Sequence, residues 1–284
     1  IKDEINPMNI KNFIPILDNV KINYTEDDFN DSVDTNAVKY ITEQERGDID
    51  YSDNHFNEWT NKDDYYFEDN DSDILLVTFA GMGWKNSIPT FIFHNFLKEY
   101  KNIDKLFLRD IKCRYYIQGL SNSAINLRET IDLIKKLTTV KKYKKIVAIG
   151  TSAGGYASIL FGHLLGFDKV VAFAPQVVIN KNKDLLIEDK CNAPQTCKWL
   201  SSLNTEDDFY QSCLDLKNFL PLNTKVDIHY AKDANNGADK KHALYLESKN
   251  CKLIEHDGKQ HMIALELRNN AKLKIIIDEL IKYF

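Results

Sequence analysis

The sequence predicts an α/β fold: a doubly wound, mostly parallel sheet with helices on both faces and a lid insertion over the sheet's carboxyl end. Three observations carry this. From residue 73 onward short apolar, β-branched runs alternate with helical patterns, as parallel strands joined by crossover helices do. Each run is apolar almost throughout rather than at every second position, as strands covered on both faces require. One connection, residues 176–224, is far longer than the single helix that would join its two strands.

Taken in order, the strands are expected at 74–81 (ILLVTFAG), 104–110 (DKLFLRD), 144–150 (KKIVAIG), 169–175 (KVVAFAP), 225–231 (KVDIHYA) and 251–257 (CKLIEHD). Helices are expected between them near 89–100, 121–139, 153–165, 239–249 and 270–284. The excursion at 176–224 carries four aromatics, Trp199, Phe209, Tyr210 and Phe219, which are either a platform for a sugar or the lid's own small core. Residues 1–72 fit the alternation less well. Between 26 and 73 they are dense in Asp and Glu interleaved with Tyr, Phe and Trp, a solvated outer face with aromatic anchors. The expected division is therefore an acidic, aromatic N-terminal segment, 1–72, a small, partly β or irregular module packed on the sheet's edge, and a domain over 73–284 with its lid at about 176–224.

Composition narrows the function. A net charge of −5 argues against nucleic acid or an anionic membrane as the main partner, since both demand clustered Lys and Arg. No apolar run approaches the ~20 residues of a membrane span, and the first residues given do not read as a secretory leader. Five cysteines without a CxxC pair form neither a disulfide framework nor a zinc signature, so a reducing, cytoplasmic compartment is expected. No H-E-x-x-H or similar ligand cluster occurs, and no metal is expected.

The informative stretch is KKIVAIGTSAGGYASILFG, residues 144–162, where a buried strand enters a glycine-rich turn and returns at once as a helix. A phosphate loop would place a Lys after the glycines, and none follows. A dinucleotide fingerprint would place a glycine where Ser152 stands. G-x-S-x-G fits, with Gly150, Ser152 and Gly154. A nucleophile at the tip of so sharp a turn brings the residues two before and two after it close enough for side chains to collide, hence glycine at both. The Ala153 N–H at the start of the helix then points where an oxyanion would form.

An activated serine needs a base and an orienting acid, which in this architecture follow later in the order Ser, Asp or Glu, His. His261, on a loop just past the last strand, is the expected base; His256, within that strand, competes, while His229 and His163 read as packing residues. Two acids are open. Asp233 is favoured by its closeness to the end of the strand 225–231, and Asp239 stands where the next helix begins and also reads as an ordinary N-cap. In the loop TFAGMGWKNS, Gly81 and Gly83 permit a tight turn and make the Met82 N–H the second expected oxyanion donor.

With these residues in this order, 73–284 resembles the α/β-hydrolase superfamily. The combination VTFAGMG, LFLRD followed by YYIQGL, GTSAGGYASILFG, AFAPQ and DKKHALYL before a late His is similar, more narrowly, to bacterial proteins found with capsule and surface-polysaccharide biosynthesis, including sugar O-acetyltransferases of α/β-hydrolase fold. That resemblance implies a serine esterase or acyltransferase working through an acyl-enzyme on a small acyl ester, O-acetyl groups of a glycan among them. It also shifts the expected acid to Asp239, because a D-x-x-H-[AL] pattern between the last two strands matches Asp239, Lys240, Lys241, His242 and Ala243, leaving Asp233 as runner-up. No cofactor is implied, with acetyl-CoA as an alternative co-substrate whose phosphates the Lys-rich stretches KKLTTVKKYKK and DKKH would meet. The rival from another class is a noncatalytic interaction protein that binds a partner through its acidic N-terminal segment. Against it stands a complete set of triad residues in the right order.

Overall fold

The computed structural model describes residues 64–82, 91–110, 114–120, 123–183 and 206–282. Their strands are β1 (Tyr65–Glu68), β2 (Ile74–Phe79), β3 (Asp104–Leu108), β4 (Lys145–Thr151), β5 (Lys169–Phe173), β6 (Lys225–Ala231) and β7 (Cys251–His256). They form one sheet in the order β1-β3-β2-β4-β5-β6-β7, parallel throughout except for β1, which runs antiparallel to β3. The six strands expected from the sequence are all present, their ends within two residues of the readings. β1 is an addition: the four residues YYFE inside the acidic segment pair with Leu108 back to Lys105 and cover the sheet's edge.

Alternation along the strands feeds two cores. On one face Val77, Leu106, Ala148, Val170 and Ile228 pack under α2 (Leu127–Thr138) and α3 (Ala153–Leu165). On the other, Leu76, Phe107, Val147, Ile149 and Phe173 pack under α1 (His94–Leu97), α6 (Ile263–Asn269) and α7 (Lys272–Lys282). The remaining helices are α4 (Asp208–Cys213) and α5 (Ala238–Tyr245). The helix expected over 270–284 is α7, and α6, which was not expected, precedes it, the two separated at Ala271, whose φ is 62°. α3 is buried from Ala153 through Gly162, which explains a sequence apolar all round rather than on one stripe.

The lid expected at 176–224 falls partly outside the described residues, Trp199 included. The described arms pair with each other: Ile179 N–H donates to Leu214 C=O at 2.8 Å and Leu216 N–H to Val177 C=O at 3.0 Å. Val177, Val178, Ile179, Tyr210 and Cys213 are buried in the core under α3. Tyr210, Phe209 beneath the Arg128 guanidinium and Phe219 against the His163 ring therefore all pack on the body.

The sheet's amino end is a charge network. Asp104, fully buried, takes Lys141 Nζ at 2.7 Å, the Tyr143 hydroxyl at 2.8 Å and the N–H groups of Asn70 and Ser72. Burial pushes its carboxyl up, and those donors, Lys141 first, outweigh burial and hold it below the ordinary range. At the other end the chain reverses direction across the sheet between β2 and β4, leaving a crevice beyond their carboxyl ends where ligands of such sheets bind.

Candidate active site

β4 delivers Ser152 to that crevice. Its φ of 53° and ψ of −119° are costly for a residue with a side chain, about 1–3 kcal/mol, and neighbouring contacts enforce them. The Ser152 N–H donates to Phe173 C=O at 2.8 Å, and its C=O accepts from Tyr156 N–H at 3.0 Å. A Cβ on Gly150 would lie 2.0 Å from the Gly154 carbonyl oxygen, and one on Gly154 would lie 2.1 Å from that of Phe79. The two glycines flanking the serine are thus demanded by the closeness of backbone to backbone.

His261 lies five residues past His256, the end of β7, and the Gly258 C=O accepts from Asp233 N–H at 3.0 Å, tying the loops after β6 and β7 together. Its Nε2 is 2.9 Å from Ser152 Oγ, and its Nδ1 is 2.8 and 3.0 Å from the two Asp239 oxygens. The carboxylate is buried in the first turn of α5, where the helix's amino end favours negative charge. An Nδ1–H held by Asp239 leaves the Nε2 lone pair facing the serine hydroxyl, the tautomer a general base needs.

Of the two acids left open by position, Asp239 reaches His261, while Asp233 is exposed. The N-cap of α5 is Gly237, so Asp239 is not its cap. His256 is not near the serine: its ring stacks on His229, with Nε2 3.0 Å from His229 Nδ1. His163 Nδ1 accepts the Asn223 N–H. His242 is buried and its Nδ1 accepts the Val177 N–H at 3.0 Å, which docks α5 on the segment after β5.

Ala153 is the first residue of α3, so its N–H has no acceptor within the helix. The loop after β2 lies against the same turn, since a Cβ on Gly81 would meet Thr151 C=O at 3.1 Å; Met82 follows, half-buried, and Gly83 is outside the described residues. Sequence reasoning overlooked two side chains here. The Tyr116 hydroxyl lies 2.9 Å from Ala80 C=O and 3.1 Å from Leu108 C=O, bracing the start of that loop. Asn235 Nδ2 donates to Asp239 Oδ1 at 2.9 Å and stands 3.0 Å from His261 Nδ1. The signal was the tripeptide Asn235-Asn236-Gly237, all three at positive φ, since Asn and Gly are the residues that enter that region most readily.

No protein-family model matches the chain, and no curated protein matches it by sequence. Solved structures do. A glycosylation-associated protein complex from Streptococcus agalactiae superposes with a TM-score of 0.55 at 16% identity, over 78% of this chain and 44% of that one. A mutant capsule O-acetyltransferase of Neisseria meningitidis serogroup A in complex with CoA gives 0.50 at 15% identity, over 72% and 87%. An S-formylglutathione hydrolase from Agrobacterium tumefaciens gives 0.50 at 9% identity, over 72% and 84%. The fold is that of the α/β-hydrolases. Among the described residues there is no group of three or more His, Cys, Asp or Glu arranged for a metal, and no helix long and apolar enough to cross a membrane.

Proposed function

We propose that the protein is a serine-nucleophile esterase or acyltransferase that works through an acyl-enzyme on a small acyl ester, with O-acetylated glycans as the favoured substrate class. The observation that carries this is the single imidazole of His261 set between Ser152 Oγ at 2.9 Å and Asp239 at 2.8 Å. In the first step Oγ bonds to the acyl carbonyl carbon while His261 Nε2 takes its proton, and the N–H groups of Ala153 and Met82 hold the oxyanion. The tetrahedral species collapses as His261 returns the proton to the departing oxygen, which leaves as an alcohol. Asp239 keeps His261 in its tautomer and stabilises the imidazolium. Water or a sugar hydroxyl, deprotonated by His261, then attacks the acyl-enzyme and frees Ser152. Which acceptor wins depends on how well the crevice excludes water and orients the other nucleophile.

A second reading, acetyl transfer from acetyl-CoA to a glycan, is favoured by the likeness to the capsule O-acetyltransferase solved with CoA. The triad chemistry is unchanged, with a thiol as first leaving group. The lysines of KKLTTVKKYKK are poor candidates for the CoA phosphates. Lys141 pairs with Asp104 and Asp69, Lys144 pairs with Asp73, and Lys145 donates to Ile281 C=O, all at the amino end of β4, roughly 20 Å of strand from Ser152. Lys240 and Lys241, beside Asp239 on α5, lie at the right end of the sheet, although Lys240 pairs with Glu255 at 2.7 Å.

A fluorophosphonate probe followed by peptide mass analysis tests both. The expected result is an adduct on Ser152 that His261→Ala abolishes, with hydrolysis of p-nitrophenyl acetate lost in Ser152→Ala. Release of free CoA from acetyl-CoA only in the presence of a glycan acceptor selects the second reading. An unlabelled Ser152 in the native protein, together with no esterase or transferase activity, overturns both and favours the noncatalytic protein.

A further inference from the structure

We infer that Asn235 is a positioning residue for the triad, holding the Asp239 carboxylate so that His261 keeps a proton on Nδ1; the inference rests on the serine-nucleophile reading. Asp239 is buried, and a buried carboxylate must have its lone pairs occupied by donors. His261 supplies one. Asn235 supplies a second, with Nδ2 2.9 Å from Oδ1, the carboxylate oxygen farther from the imidazole, while Oδ2 takes the shorter 2.8 Å bond to Nδ1; Nδ2 and Nδ1, 3.0 Å apart, are both donors and converge on the one carboxylate. Only the amide's NH2 face can meet a carboxylate, since its oxygen would repel one, so the contact fixes the side chain's orientation.

The backbone is sharply bent where this contact is made. β6 ends at Ala231, and α5 must begin almost at once with Asp239 turned back toward the crevice. The reversal is made by Asn235 (φ 49°, ψ 42°), Asn236 (φ 55°, ψ 37°) and Gly237 (φ 83°), three consecutive left-handed residues. Asn235 and Asn236 have nearly the same backbone, yet Asn236 is exposed whereas Asn235 turns its amide onto the acid. Conformation alone therefore accounts for an Asn at 236, and the contact with Asp239 accounts for it at 235. Without the amide, Asp239 is free to rotate away from Nδ1, and His261 spends less time as the tautomer that can accept the serine proton.

This pair supplies its own control, because Gly tolerates the left-handed region at either position. Asn235→Gly is expected to lower kcat for p-nitrophenyl acetate by about tenfold to a hundredfold, as misplacement of a catalytic group does, with KM changed less than about twofold. Asn236→Gly is expected to leave both at wild-type values. The downfield proton resonance of the His261 Nδ1–H, measured on the full chain, should move or broaden in Asn235→Gly and stay in place in Asn236→Gly. Wild-type kcat and an unmoved resonance in Asn235→Gly overturn the inference, and so do equal losses in the two variants, which would trace the effect to the turn alone. Activity that survives Ser152→Ala breaks the underlying reading instead, and the resonance still reports whether Asn235 governs the Asp239–His261 bond.

Discussion

The two ends of the sheet are built on different principles. At the amino end, Asp104, Lys141, Tyr143, Lys105 and Glu68 meet as complementary charges and donors. At the carboxyl end the backbone is forced: of the eight non-glycine residues with positive φ among those described, six (Tyr115, Tyr116, Ser152, Ala174, Asn235, Asn236) lie in the loops that follow β3, β4, β5 and β6. Strain gathers where chain direction must be spent on aiming a few side chains, and charge pairing gathers where the chain has only to be held. The lesson is that the two ends should fail differently, one in rate and the other in stability.

The sharpest way to break the comparison is at the acid. Asp239→Asn keeps the size and burial of the side chain but removes the charge that fixes His261, and kcat/KM should fall by about 10⁴, while Asp233→Asn should change it less than about twofold. Steady-state kinetics alongside urea denaturation measure this. A small loss at Asp239 would mean that some other group orients His261. The converse experiment is Asp104→Ala, which leaves the N–H groups of Asn70 and Ser72 and the Lys141 ammonium without their acceptor. It should cost about 2–3 kcal/mol of unfolding free energy in urea denaturation with kcat unchanged, since Lys141 is partly exposed and recovers hydration.

The smallest effect is one of pH. Burial first, then the neighbouring charges of His256, Lys252 and Lys169, push His229 down to about 3, and burial pushes His94 down to about 4. Both are therefore neutral in the fold where the unfolded chain would bind protons. Their contribution is complete above the ordinary His value and is lost as pH falls below it, at up to about 1.4 kcal/mol per pH unit for each group until the folded value is reached. His229→Phe should flatten the loss of stability between pH 7 and pH 5. An unchanged slope would show that His229 is solvated or charged in the native state.

Much of this was legible beforehand, and for physical reasons. Strands covered on both faces announce themselves by unbroken apolar runs, and the elbow announces itself because Gly150 and Gly154 are required by contacts of 2.0 and 2.1 Å that no side chain survives. The position of β1 was not legible within the partly β or irregular segment expected there: four residues flanked by Asp, with Glu68 among them, have no periodicity to detect, and only the pairing with β3 makes them a strand. By position the acid was legible only as two candidates, between which the resemblance favoured Asp239; Asn235-Asn236-Gly237 marks a left-handed turn, but that this turn carries Asp239 past Asp233 to His261 is set by tertiary geometry. Asn235 was hidden for the same reason.

β1 has one more consequence, for how the protein can be cut. Without it, β3 would present a bare row of N–H and C=O groups along Leu106, Phe107 and Leu108, all fully buried now, and an uncovered apolar edge of that kind recruits other chains. Asp64 adds to the seal, its C=O accepting from Arg109 N–H and its carboxylate from Ser123 N–H. A chain trimmed to the hydrolase-like portion at residue 73 would therefore be exposed to aggregation through β3, and the shortest soluble version should begin no later than Asp64.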